Sequence, residues 1–539
     1  MLFNKDRRLF LQTAAKLGLS AGALIIFEQA CSNMVPTEEA VSLMPTSQPK
    51  LTPTLVPAQV IDSTSQTPVP YPTAGPTPMV GPTSQPEMAY PVNTPAVNKK
   101  VIDDPRVRMG HLLRRAGFGA SKEEIDKHLS MGEAETISYL LDYDKSDDSE
   151  VESRIESLNL DLSDKLADLQ RMAMLRMIYT NRPLQEKMVL FWHGLLTSGW
   201  KKVGKGPYML QQDELFRSHA FGNYDDLLKA VARDSAMLIW LDSRVNKKNK
   251  PNENFARELM ELFSMGVGTF TEEDVKESSR AFTGWSLKKK VFHFQENQHD
   301  FGVKTFLGNI GNYDGDDVVD IIMEQPVTSR FISRKLFEFF AYDNPEEEVI
   351  ARLAKTFNDS GYSITALLKD ILTSEEFYTQ QAYRSKIKSP AELIAGTIRA
   401  LGIESTVTYQ VRKYMGPMGQ ELFNPFDVSG WPENEEWINS STLLNRLNFV
   451  NAVAEGNRRH FDYDLVNMID LKTVNETKDV IDHFVDILLD GEISEEEKGI
   501  YIAYLDGLLK GEDLQTGLTK DRLASLVYLV MSSPDYQLA

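Results

Sequence analysis

From Asp104 onward, apolar residues recur at spacings of three and four, the period of a helix with one buried face. The segments PLQEKMVLFWHGLLTSG, FGNYDDLLKAVARDSAMLIWLD, PVTSRFISRKLFEFFA, SITALLKDILTSEEFY and SPAELIAGTIRALG all carry this pattern. Helix starts are marked as well: Thr271 precedes Glu272 to Asp274, and Ser389 precedes Pro390. Strand-like alternation is scarce, and its best instance runs from Lys290 to Gln295. The pattern therefore predicts an all-α fold, one large helical domain over residues 101–539, with one small β-hairpin near residue 290.

The periodicity stops on the N-terminal side of this body. Residues 33–100 are rich in Pro, Thr and Ser, and hold more than half of the chain's 25 prolines. Such a stretch cannot bury a core, so a disordered, semi-rigid spacer of polyproline character is expected. Residues 1–32 read differently again. Arg7-Arg8 followed by Leu9, Phe10 and Leu11 resembles a twin-arginine export signal, although Asp6 stands where Ser or Thr is commoner. The apolar run Ala21 to Phe27 is too short to span a bilayer and suits a signal core. An exported protein of the cell envelope or exterior is expected, against the plainer alternative of an amphipathic N-terminal helix. Cys31 follows this run where a lipidated cysteine would stand. Ala30 fits that role and Glu28 does not, so lipid anchoring, cleavage nearby and no cleavage all stay open.

Charge and cysteine content narrow the classes. A formal charge of −20 argues against nucleic acid as a partner, because neutralising phosphates needs surplus Lys and Arg. The single cysteine rules out an intramolecular disulfide and a cysteine-based zinc site.

Candidate chemistry begins in PNENFARELMELFSMGVGTFTEEDVKESSRAFTGW, residues 251–285. On a helix, Glu253, Arg257 and Glu261 form one stripe with Glu258 beside it, opposite Phe255, Ala256, Leu259, Met260, Leu262 and Phe263. Asn252 can cap its start, and Gly266 and Gly268 can close its end. Taken alone, this is a solvated face carrying a weak ion pair. Its company shifts the balance. His193 sits on a helix that is apolar nearly all round, with Glu186 seven residues earlier on the same face. The Gly-rich loop ENQHDFGVKTFLGNIGNYDG adds His299, Asp300 and Lys304. Each histidine also has a plain reading, as a satisfied core group at 193 and an exposed loop residue at 299. No HExxH, Walker, GxSxG or dinucleotide-binding motif is present, and NYDGDDVVD reads as a loop and helix cap.

The blocks HLLRRAGFGAS, EKMVLFWH, KPNENFARELMELFSMGVGTFTEEDVKESSRAFTGW, HDFGVKTFLG and NPFDVSGWPENEEWINSSTLLNRLNF, in this order, resemble the bacterial family called domain of unknown function 1800. The resemblance covers the body from about Arg106 onward. It implies an exported protein and, as a partner, a second exported protein resembling sulfatases, encoded nearby. The family carries no assigned reaction, so the resemblance brings positions without chemistry. His193, Glu253, Arg257, Glu258, Glu261, Trp285, His299, Asp300, Lys304 and Trp431 occupy matching places. One departure stands out: relatives often read WHNHF where this chain has Trp192-His193-Gly194-Leu195-Leu196, which puts any role for a second histidine in doubt. Gly430-Trp431-Pro432 with Trp437 supplies an aromatic wall, as a core plug or as the lining of a cleft.

Two functions follow. In the first, His193, Glu253, Glu258, His299 and Asp300 hold a divalent metal, iron, manganese or zinc, while Glu258, Glu261, Arg257 and Lys304 do the chemistry. Without a metal, the same carboxylates would serve acid–base hydrolysis, and oxidoreductase and hydrolase stay equally open. In the second, the body is a non-enzymatic envelope scaffold or binding protein on a flexible tether, and its buried charges fix helix packing.

Overall fold

In the computed structural model, the residues described are 100–405, 409–456, 461 and 463–539. The expected signal, Cys31 and the Pro-rich spacer lie outside them. The described body is mostly helical, as the periodicity predicts. Thr271 and Asp274 form a reciprocal capping box at the start of helix Glu272–Ala281, and Ser389 and Glu392 form another at helix Pro390–Ala400. Asp314 and Asp317 do the same for helix Gly315–Met323, so NYDGDDVVD is a helix start.

Among the described residues, four short strands interrupt the helices. Strand β1 (Trp285–Lys288) pairs antiparallel with β2 (Val291–Phe294), which is the hairpin expected near residue 290. A second hairpin, β3 (Lys304–Phe306) with β4 (Asn309–Gly311), was not foreseen. Its three-residue strands are too short to show a two-residue period.

Burial divides into two apolar cores. One is built on helices Leu166–Tyr179, Ser440–Ala454, Thr477–Leu489 and Lys520–Met531. The other gathers helices Tyr224–Arg233, Pro326–Phe340, Glu347–Asp359 and Ile364–Thr373. Helix Pro183–Leu195 is the seam: Leu190 faces the first core, while Leu184, Met188, Phe191 and Trp192 face the second. Its all-round apolarity has this cause, since a helix packed between two cores has no face left for water. Trp192 is fully buried, stacked on Tyr224 and edge-on to Phe191. Among the described residues, no helix is long and apolar enough to cross a membrane.

Candidate functional site

Helix Asn254–Glu261 buries Phe255, Ala256, Leu259 and Met260 and turns its charges outward. Arg257 donates to both carboxylate oxygens of Glu272 at 2.9 and 2.7 Å, and more weakly to Glu253 at 3.5 Å. Glu272 is an exposed partner on the next helix. Glu258 is half-buried, and burial pushes its carboxyl above the usual range, helped by the nearby charge of Glu261.

The loop carrying His299, Asp300 and Lys304 is braced from within. The carboxylate of Asp300 accepts from Arg280 Nε at 2.8 Å, and this guanidinium holds it below the usual carboxylate range. The ring Nδ1 of His299 lies 2.8 Å from the Thr283 carbonyl, and its ring is flanked by Phe294 and Phe301. The Lys304 ammonium is buried and donates to the carbonyls of Asp300 and Gly302 at 2.7 and 3.1 Å; burial lowers its pKa. These side chains tie the loop to itself and to helix Glu272–Ala281.

His193 is buried between Phe216, Phe423 and Trp431, and its Nε2 has no hydrogen-bond partner. Burial drives its pKa down to about 4, against a weaker upward pull from Asp213. Glu186 is buried too, as its spacing from His193 implies, but both its oxygens accept from Arg217, at 2.8 and 2.9 Å. Arg217 and Arg176 also share Asp213, and the cluster runs on to the half-exposed Glu214 and Glu152, so Glu186 is already neutralised within it.

Among the described residues, no three or more His, Cys, Asp or Glu side chains are grouped so that they could hold a metal ion. Of the five expected ligands, Asp300 is taken up by Arg280, Glu253 lies beside Arg257, and the two imidazoles sit in separate aromatic settings.

What the fold does bring together is a cleft of about 320 Å³ at the seam between the cores. One wall is the seam helix, through Leu190, Phe191, Gly194 and Leu195. The cleft is lined as well by Phe331, Lys335, Glu338 and Phe339 on one side of helix Pro326–Phe340, and by Trp431, Pro432 and Trp437 from the Gly-Trp-Pro block. Glu261, Glu392, Glu433, Arg115 and Lys386 add charged groups to the lining. Gly430 makes the block possible. Its φ is +97°, and a Cβ there would stand 2.4 Å from the Gly194 carbonyl oxygen, so only glycine lets this loop lie on the helix. Trp431 is fixed by a bond from its Nε1 to the Glu421 carbonyl at 3.2 Å.

Behind the lining, buried Lys187 is ion-paired with the lining residue Glu392 and donates to the Gly117 carbonyl at 2.9 Å. Burial lowers Lys187 to about 8. Burial would raise Glu392, but Lys187 and Arg115 outweigh it and bring this carboxyl to about 2. Glu338 differs: burial pushes its carboxyl up, and its closest donor is the Asn344 backbone at 3.3 Å. Glu261, Glu433 and Lys335 have no hydrogen-bonded or ion-pair partner among the described residues.

Of the expected catalytic set, Glu261 reaches the cleft lining, while Arg257, Glu258 and Lys304 do not. The aromatic wall at Trp431 and Trp437 is a cleft lining. Phe331, Lys335, Glu338 and Phe339 were missed by sequence reasoning. The available signal was a second stripe on FISRKLFEFF, aromatic at both ends and charged between, beside the buried stripe of Ile332, Leu336 and Phe340.

Comparison with known proteins places most of the chain. A family model described as "Protein of unknown function (DUF1800)" matches residues 111–538. No curated protein and no solved structure matches.

Proposed function

The chain belongs to the DUF1800 family, and from that premise we propose that its body is a binding protein whose seam cleft takes a polyhydroxylated ring compound, a sugar or sugar-like polyol. The observation that carries this is the make-up of the cleft: aromatic side chains from three separate segments, with Glu261, Glu338 and Glu433 outside any ion pair against Lys335 as the one lysine of the lining outside any. Its volume is that of a small-molecule site, whose walls are mostly apolar with a few oriented polar groups. The faces of Trp431, Phe331 and Phe339 suit the C–H face of a ring. Glu261, Glu338 and Glu433 are acceptors in want of donors, which hydroxyl groups supply, and Lys335 supplies a donor. The test is a panel of mono- and oligosaccharides, followed by tryptophan fluorescence and thermal melting. A sugar that raises the melting temperature of the wild type but not of Trp431→Ala supports the reading. A panel that moves neither signal overturns it.

A second reading rests on Glu338. Its carboxyl, pushed above the usual range by burial, lines the same cleft as Glu261, and two carboxyl groups in unlike surroundings within one cleft are the equipment of glycoside hydrolysis. It requires turnover of the bound sugar that Glu338→Gln abolishes while binding persists.

A further inference from the structure

The loop from His299 to Lys304 is braced as firmly as many active sites, yet what it displays is apolar. Phe301 and Val303 are 54% and 64% exposed. They alternate with the anchored residues: the Asp300 carboxylate sits on Arg280, and Lys304 caps the carbonyls of Asp300 and Gly302. A Cβ on Gly302 would stand 2.7 Å from Arg280, so the chain is pressed against its support between the two. Two large apolar side chains are thus held in water by a rigid backbone. Phe294 on β2 is exposed as well and meets the His299 ring as Phe301 does, and Val291 on β2 and Ile310 on β4 are exposed on the two hairpins that flank the loop. Scattered apolar surface residues are ordinary, but a fixed cluster of them marks an interaction surface.

The surrounding charge is opposite to that of the molecule. The β1–β2 turn is Lys288, Lys289 and Lys290, all exposed. At the base of the same hairpin, where the Gly284 N–H donates to the Asn246 carbonyl at 3.0 Å, the turn at residues 247–250 exposes Lys247, Lys248 and Lys250, and the Lys248 N–H donates to the Gln298 carbonyl at 2.8 Å, which fixes this turn to the same loop. None of these six lysines pairs with a carboxylate among the described residues, whereas Arg257, Arg280 and Arg233 around them all do. Glu296 is an exposed carboxylate within this stretch. A chain of charge −20 has therefore left six lysines without ion pairs at the two ends of one hairpin, the corner that carries the apolar display.

We infer that this corner docks the body onto a bilayer rich in anionic headgroups, with Phe294, Phe301 and Val303 entering the headgroup–acyl boundary and the lysines meeting the surface charge. Free lysine beside protruding Phe and Val fits a lipid surface better than a protein one, because protein interfaces are depleted in lysine. Phe301 and Val303 also stand on a loop between the two hairpins, which can dip into a bilayer.

The full chain carrying Cys31→Ser, so that no acyl group contributes, is mixed with vesicles of phosphatidylcholine alone or with one-third phosphatidylglycerol, and co-sedimentation is measured. Binding to the anionic vesicles that weakens as salt rises is expected. It should fall more than tenfold in K288E/K289E/K290E, and several-fold in F301S/V303S, with the thermal melt of both variants unchanged. Equal binding to both vesicle types, or binding that neither variant alters, overturns the inference. So does an absence of vesicle binding in which F301S/V303S instead abolishes self-association, which would assign the corner to a second copy of the chain.

Discussion

The imidazole of His193 lies against the indole of Trp431, with ring centroids 4.9 Å apart and planes at 32°. Trp431 thereby lines the cleft and also shields a histidine from water. That double duty has a pH signature. The folded-state pKa of His193, about 4, lies below the ordinary value of 6.5. The neutral ring is favoured by folding, so this stability is complete above pH 6.5 and is lost as pH falls towards about 4. The shift corresponds to about 3 kcal/mol. Denaturation at pH 7 and pH 4 should show the loss, and His193→Phe should show a smaller difference between the two conditions.

Gly430 and Gly194 should respond in opposite ways to alanine. At Gly430, the positive φ and the 2.4 Å approach to a carbonyl oxygen leave no room, so Gly430→Ala is expected to cost about 2–3 kcal/mol or more. At Gly194, a Cβ would meet Trp431 at 3.7 Å, an ordinary contact, and the residue is inside a helix. Gly194→Ala is expected to be neutral or to stabilise by up to about 1 kcal/mol. Urea denaturation of the two variants checks both signs.

The Lys187–Glu392 pair is buried, and removing one member strands the other. Lys187→Met and Glu392→Gln should each cost about 3–5 kcal/mol, and the double variant less than the two losses combined. A double-mutant cycle by chemical denaturation measures the coupling.

Two arginines of similar bonding should differ through burial alone. Arg257 spends its donors on exposed Glu272, so Arg257→Ala should cost about 0–1 kcal/mol, and salt should shrink the effect. Arg217 holds Glu186 and Asp213, both buried, so Arg217→Ala should cost about 3–5 kcal/mol and respond little to salt. Denaturation midpoints at low and high salt separate the two.

The sequence carried the helices, the capping boxes at Thr271 and Ser389, and the hairpin near residue 290, because each depends on neighbours within a few positions. The burial of His193 and Glu186 was equally legible from one helix face. What was not legible is adjacency in space. Nothing in the spacing shows that Glu186 meets Arg217, or that Asp300 meets Arg280. The acidic stripe illustrates the same limit: its periodicity was right, yet of its four members only Glu261 lines the cleft. The face of Pro326–Phe340 that completes the cleft was hidden because a second stripe on a helix looks like surface until its partner is known.

The seam cleft draws its walls from residues as far apart in the chain as Arg115 and Trp437. No excised fragment can preserve it, and any occupant will register in the cooperative melting of the entire body rather than in a local transition. The compound that fills it can therefore be sought among crude extracts, fraction by fraction, with nothing more than the temperature at which the chain comes apart.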